Sequence, residues 1–328
     1  DNLQSVTKEV AIALQVLTFQ YSRYYHFRRY LLPWGGQKMN KAKIKLVALD
    51  LDGTALNNRH ELSEKTIETL TRLSKKGVII SLATGRSIRD IQKYLEILRL
   101  PQQIIPGVGY NGSYGVLFRE EQHKFHKETV FEGSLPEEST KKLIEFANSL
   151  GLVMQYYNAE VGEVIAAPQN DEHKELLRKY AELTGREQLL APNYDEALTA
   201  SPSAKALILT NDADALISAA KATFSEDEFH MIRGSPSPFF VEFLRPGVTK
   251  GVGLQHICEK IGIQPEEVVA FGDGDNDKEM LEFAGIGVAM KNAKDAAKNA
   301  ADIVLEWTND DHGVAIQLDQ MDAADCFA

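Results

Sequence analysis

The stretch Lys45-Leu46-Val47-Ala48-Leu49-Asp50-Leu51-Asp52-Gly53-Thr54 decides the fold. Residues 45–51 are a short run rich in Leu and Val, apolar without a break from Leu46 to Leu49, the pattern of a parallel strand buried on both faces. The run ends in carboxylates at i and i+2, then Gly and Thr. In open α/β sheets, ligands gather at the carboxyl ends of strands. Gly53 permits a tight turn and a close backbone approach. Two acids at such a point suit a hard cation held through oxygen, or a carboxylate that attacks an electrophile. A surface Asp-x-Asp loop is the plain alternative.

Outward from this strand the pattern is regular. Residues 63–76 have helical spacing, with Ile67, Leu70 and Leu73 on one face; 78–83 read as a second buried strand and 87–98 as another helix. Strands over 104–107 and 114–118 flank a Gly-rich turn. Such alternation implies βαβ units and a parallel sheet. Between 131 and 244 the order changes. Helices are expected over 137–150, 171–183 and 213–222, and strands over 153–157, 164–166, 204–210, 230–233 and 239–243. Helix, strand, helix, strand, helix then resume over 250–261, 268–271, 278–283, 286–289 and 293–300. The expected fold is α/β: a Rossmann-like parallel sheet core with helices on both faces, built from 41–130 and 245–328, plus an inserted α+β cap domain over 131–244.

Composition agrees. A length of 328 residues suits about two domains. With 44% hydrophobic and 25% charged residues the chain is ordinary for a globular protein, which excludes collagen-like and disordered classes. The uncharged stretch 10–22 is too short to span about 30 Å of hydrocarbon, so no membrane span is expected. Two cysteines exclude a disulfide-stapled scaffold and a four-thiolate zinc site, and suit a reducing compartment. The net charge of −11 is uneven: residues 1–45 carry eight Lys/Arg against two acids, and the rest 28 against 45. A body at −17 argues against nucleic acid as a partner. An anionic substrate there needs a metal or placed cations. Residues 1–40 form an acid-poor, aromatic and Arg-containing extension that reads as a transit peptide or a docking arm.

Three more sites carry chemistry. Ala83-Thr84-Gly85-Arg86 ends the second strand, where a hydroxyl and backbone N–H groups at a helix start hold phosphate oxygens; Arg86 adds a bidentate cation. Gly247-Val248-Thr249-Lys250-Gly251 opens a helix with a lysine that the helix dipole disfavours unless an anion faces it. Phe271-Gly272-Asp273-Gly274-Asp275-Asn276-Asp277 concentrates three acids after a strand. It fails as a calcium loop, having Lys278 and Ala284 at the positions that need Gly and Glu. Each of the three has a plain reading: a capped helix, an exposed lysine, a solvated acidic turn.

Together, in this order and at these strand ends, the four motifs resemble those of the haloacid dehalogenase-like hydrolases. The insertion between the second and third motifs resembles the C2 cap of the Cof-type subfamily (type IIB). The resemblance covers about 45–320. It implies a Mg²⁺-dependent phosphatase, in which Asp50 is the nucleophile that forms an aspartyl-phosphate. Asp52 would protonate the leaving oxygen and then activate water. The metal would be held by Asp50, Asp52 through its carbonyl, and Asp273, with Asp277 in support. Thr84, Gly85, Arg86, Lys250 and Asn276 would grip the phosphoryl group. The implied substrate is a small phosphorylated metabolite, a sugar phosphate or a nucleotide- or cofactor-like phosphate. An intracellular monomer or homodimer is expected, cytoplasmic or organellar. Two departures are Ala55, where Leu is commoner, and Lys291, where Gly is frequent and which would alter the pocket wall. A phosphohexomutase-like phosphotransferase and a non-catalytic assembly subunit are the competing readings.

Gly107-Val108-Gly109-Tyr110-Asn111-Gly112 fits G-x-G-x-x-G, but a strand rather than a helix follows, which argues against a dinucleotide. Cys258 reads as core, and His123, His126 and His173 as surface. Tyr156, Tyr157 and Asn158 are candidates for leaving-group contacts.

Overall fold

The computed structural model describes residues 42–121, 124–158, 162–197, 203–234 and 239–328; the extension expected over 1–40 lies outside them. The chain opens with β1 (Leu46–Leu49), α1 (Glu64–Lys75), β2 (Ile79–Ala83), α2 (Ile88–Leu98), β3 (Ile105–Gly109), β4 (Tyr114–Glu121) and β5 (Lys124–Glu132). Every residue of β1 is buried, and each Leu or Val so placed contributes about 1.5–3 kcal/mol. Ser63 caps α1 by accepting from the Thr66 N–H, and Leu70 and Leu73 bury its inner face. Ser87 and Asp90 form a reciprocal capping box that starts α2.

Next come α3 (Glu137–Ser149), β6 (Val153–Asn158), β7 (Val164–Ala166), α4 (Asp171–Thr184), β8 (Leu189–Leu190), α5 (Tyr194–Ala197), β9 (Ser203–Leu209), α6 (Ala213–Thr223), β10 (His230–Arg233) and β11 (Phe240–Leu244). The last run is α7 (Lys250–Ile261), β12 (Val268–Gly272), α8 (Lys278–Phe283), β13 (Ile286–Ala289), α9 (Asp295–Ala300), β14 (Ile303–Val304) and α10 (Gly313–Ala323).

Two sheets result. The first is eight-stranded, in the order β14-β13-β12-β1-β2-β3-β4-β5. It is parallel from β14 to β3 and antiparallel beyond. β1 lies between β2 and β12, with Leu46 opposite both Ile79 and Val268. Helix α10 packs on α1, and α7 on α8 and on β3 to β5. The second sheet is six-stranded, β10-β11-β9-β6-β7-β8, antiparallel except for β7 with β8.

Strand alternation sorts the second sheet's two faces. Met154, Tyr156, Ile208, Val241 and Phe243 join Leu143 and Leu216 in a separate apolar cluster. Tyr157, Leu207, Leu209 and Phe240 belong instead to the cluster of the first sheet. That second face also carries Lys205 and Glu242, one charge each in otherwise apolar strands.

Several expectations change. Strand β5 was not foreseen, because it is exposed or half-exposed along its length and carries little apolar signal. It pairs with β4 and reaches Glu132. His173, expected at the surface, is buried: its Nδ1 accepts from the Gln169 N–H at 3.3 Å and its Nε2 lies 2.9 Å from the Gly151 carbonyl. His126 is exposed, and His123 lies outside the described residues. Cys258 is in the core, where burial pushes its thiol up to about 12. The segment after Gly112 is strand β4, as the argument against a dinucleotide required.

Candidate active site

β1, β2 and β12 end side by side, and their following loops converge. Asp50 continues β1, donating its N–H to the Phe271 carbonyl at 3.0 Å, and is almost wholly buried. The chain then turns through Gly53, whose φ is +79°. A Cβ there would stand 2.4 Å from Asp273 Oδ2. Only glycine allows the first acidic loop to lie against the second. Gly53→Ala is expected to cost about 1–3 kcal/mol through the left-handed backbone alone, with Asp273 displaced besides. An unchanged urea midpoint would contradict this.

Thr54 Oγ1 donates to Asp273 Oδ1 at 3.1 Å. Asp277 lies fully buried and ties the acidic loop: its Oδ2 accepts from the N–H groups of Asp273 and Gly274 at 2.9 and 2.8 Å. Lys250 is 1% exposed, and its Nζ bridges Asp50 Oδ1 at 2.6 Å and Asp277 Oδ1 at 2.7 Å. The anion that a lysine at a helix start requires is thus this pair of carboxylates. Burial would lower the Lys250 pKa, but Asp277 and Asp50 hold the ammonium protonated well above its usual range. Burial, then the Asp277 charge, pushes Asp50 well above the ordinary carboxylate value despite Lys250. Burial and Asp277 push Asp273 up to about 6.

Oxygen atoms of Asp50, Asp273 and Asp277 lie within 4.8 Å of one another. This all-carboxylate donor set suits a hard divalent cation such as Mg²⁺ and not a thiolate-seeking metal. A cation there relieves the repulsion that raises Asp50 and Asp273.

Asp52 points elsewhere. Arg86 grips it bidentately, Nε to Oδ2 at 2.6 Å and Nη2 to Oδ1 at 2.5 Å, and His60 Nδ1 lies 2.9 Å from Oδ1. Burial would raise this carboxyl, but Arg86 and then His60 hold it below the usual range. Thr84 is buried at the end of β2, its Oγ1 accepting from the Arg86 N–H at 3.2 Å. Gly85 lies flush against Asn111: an added Cβ would be 2.9 Å from the amide oxygen.

Asp50, Asp52, Thr84, Gly85, Arg86, Asp273 and Asn276 line one cavity of about 460 Å³, and Lys250 and Asp277 sit beneath its floor. All nine expected residues are therefore brought together. The cavity roof comes from the second sheet and α4, with Tyr157, Tyr180, Lys205, Phe240 and Glu242 on it. Of the three leaving-group candidates, Tyr157 lines the cavity, whereas Tyr156 packs into the other face. Lys291 does not reach the wall; Asn292 and Lys294 do. Sequence reasoning missed His60, Lys205, Glu242 and Arg186. The available signal was a lone charge inside an apolar strand, Lys205 in SAKALIL and Glu242 in FVEFL. Arg186 reaches from the end of α4 to Asp90 Oδ2 at 2.5 Å and to Ser87 Oγ.

Known proteins resemble this chain in sequence and fold. The family described as haloacid dehalogenase-like hydrolase matches residues 47–318. The Bacillus subtilis protein named 5-amino-6-(5-phospho-D-ribitylamino)uracil phosphatase YitU is 33% identical over 280 residues, 84% of this chain and 96% of its own length. The B. subtilis protein named phosphatase YwpJ is 30% identical over 309 residues, 83% of this chain and 98% of its own. A solved haloacid dehalogenase-like hydrolase from Bacteroides thetaiotaomicron superposes with a TM-score of 0.71 at 32% identity, covering 85% of this chain and all of that one. Among the described residues no helix is long and apolar enough to cross a membrane. With its acidic loops meeting at the strand ends, the chain belongs to the haloacid dehalogenase-like hydrolases of the Cof type, and it is a phosphatase.

Proposed function

We propose that the enzyme hydrolyses a small phosphorylated metabolite through an aspartyl-phosphate on Asp50. The observation that carries this is the buried Asp50 carboxylate at the β1 end, held by Lys250 and faced by two further acids. An Asp50 oxygen attacks phosphorus, the bond from phosphorus to the ester oxygen breaks, and Asp52 delivers a proton to that leaving oxygen. Water then attacks the acyl phosphate and gives its proton to Asp52, releasing phosphate and restoring Asp50. Mg²⁺ would be held by Asp50, the Asp52 carbonyl and Asp273, with Asp277 in support, and would supply the charge neutralisation that lets two anions meet. Thr84, Gly85, Arg86, Lys250 and Asn276 orient the phosphoryl oxygens. Such a site works mainly by positioning and electrostatics.

At rest Arg86 and His60 keep Asp52 anionic, which suits the water step. Its service as an acid requires the arriving phosphate ester to draw Arg86 away, so that Asp52 takes up a proton from solvent before the ester bond breaks.

In this reading, 41–130 with 245–328 form the catalytic core and 131–244 the cap. A cavity of about 460 Å³ accommodates a small metabolite rather than a macromolecule. A ring-bearing, cofactor-like phosphate is supported by the relative named for a ribitylaminouracil phosphate and by the Tyr157, Tyr180 and Phe240 roof. Phosphate release from a panel of sugar phosphates, nucleotides and 5-amino-6-(5-phospho-D-ribitylamino)uracil tests it. We expect turnover with Mg²⁺, none in excess EDTA, and recovery when Mg²⁺ is returned. Full activity in EDTA, or no phosphate from any compound, would sink the reading.

A further inference from the structure

We propose that Glu242, on the roof strand β11, is a positioning residue for Asn276 in the floor, acting through Asn111. The inference rests on the reading that Asn276 grips the phosphoryl group.

A chain of hydrogen bonds crosses the cavity wall. Lys205 Nζ donates to Glu242 Oε2 at 3.0 Å and to the Gly85 carbonyl at 3.1 Å. Asn111 Nδ2 donates to the same Glu242 Oε2 at 2.8 Å. Asn276 Nδ2 donates to Asn111 Oδ1 at 2.8 Å. Lys205 and Glu242 are buried in apolar strands, and Asn111 is 3% exposed with φ +57°. Glu242, Asn111 and Asn276 all line the cavity.

The polarity of this chain is fixed from its far end. An ammonium only donates and a carboxylate only accepts. Glu242 cannot donate, so its contact with Asn111 forms only when Asn111 turns its NH₂ toward it. That leaves the Asn111 oxygen facing Asn276, which must answer with its own NH₂. One Asn276 hydrogen is spent on Asn111, and the second stays on the same nitrogen, free for an anionic oxygen. Without the acceptor at 242, either amide can flip and present its carbonyl to the phosphoryl group. Gly85 takes part passively, since any side chain there would press on the Asn111 amide.

The test compares two double variants that differ only at residue 242: K205M/E242M, which removes the acceptor, and K205M/E242Q, which keeps an acceptor oxygen. Both remove the lysine, so neither strands a buried ammonium, and both lose its bond to Gly85 equally. The readout is competitive inhibition by inorganic phosphate, which has no leaving group for the roof to touch. A lost hydrogen bond to a charged group predicts that K205M/E242M binds phosphate about 10-fold more weakly than K205M/E242Q. In an N276A background that difference is expected to vanish. Equal affinities of the two double variants, or a difference that persists in full with N276A, overturn the proposal while leaving the phosphatase reading intact. If N276A alone changes neither phosphate affinity nor turnover, the assignment of Asn276 fails, and this inference with it.

Discussion

Asp50→Asn is expected to lower phosphate release from p-nitrophenyl phosphate by on the order of 10⁴-fold or more, the loss that follows removal of a nucleophile acting within a unit. Turnover surviving in the purified variant would remove Asp50 from the nucleophile's place. The same change should not weaken the metal-free fold. Of the three clustered acids, Asp50 and Asp277 share Lys250 in the wild type, and Asn relieves part of the excess negative charge. The pH dependence has a definite sign. Asp50 is held above its ordinary value of 3.8, so above that value the native state retains a proton that the unfolded chain has released. Stability contributed by this group is present at low pH and falls as pH rises through the folded pKa. The stability of metal-free D50N relative to wild type should therefore grow as pH rises from about 4, and added Mg²⁺ should narrow the gap. Parallel melting curves of the two proteins at every pH would contradict the electrostatic account.

Lys250→Met carries the second large effect, of a different kind. It leaves Asp50 and Asp277 buried, with no ammonium between them. Breaking a buried pair by removing one partner costs about 3–5 kcal/mol, so a large fall in the melting temperature of the metal-free protein is expected, partly recovered with Mg²⁺. Turnover should fall about 10²–10³-fold, as for loss of one preorganised donor at a developing charge. Circular dichroism melts with and without Mg²⁺, beside p-nitrophenyl phosphate assays, check both. A variant as stable as wild type in EDTA would show that the carboxylates do not depend on this lysine.

The core was legible because its signals are local. A buried parallel strand reads as an unbroken apolar run, and the loop at its carboxyl end holds chemistry. Asp50, Thr84, Lys250 and Asp273 each sit just past such a run or at a capped helix start. What escaped depends on partners far along the chain. Strand β5 is amphipathic only weakly, since its pairing with β4 leaves most of it in solvent. His173 looks like any polar residue in the first turn of a helix until Gly151 and Gln169 close over it. Lys205 and Glu242 form a pair only once β9 and β11 lie side by side, and the Asn111 link to Asn276 joins loops 165 residues apart.

Placing β1 between β2 and β12 also sets a timetable for synthesis. Leu46 and its partner Val268 are separated by the whole second sheet. At roughly 5–20 residues per second, β12 leaves the ribosome on the order of ten to forty seconds after β1. For that interval the strand that carries Asp50 has one bare edge, and the acids and lysine around it have not met. The nascent chain therefore has no catalytic centre to protect or misuse, and a strand edge whose N–H and C=O groups stay without their β12 partners until the last quarter arrives.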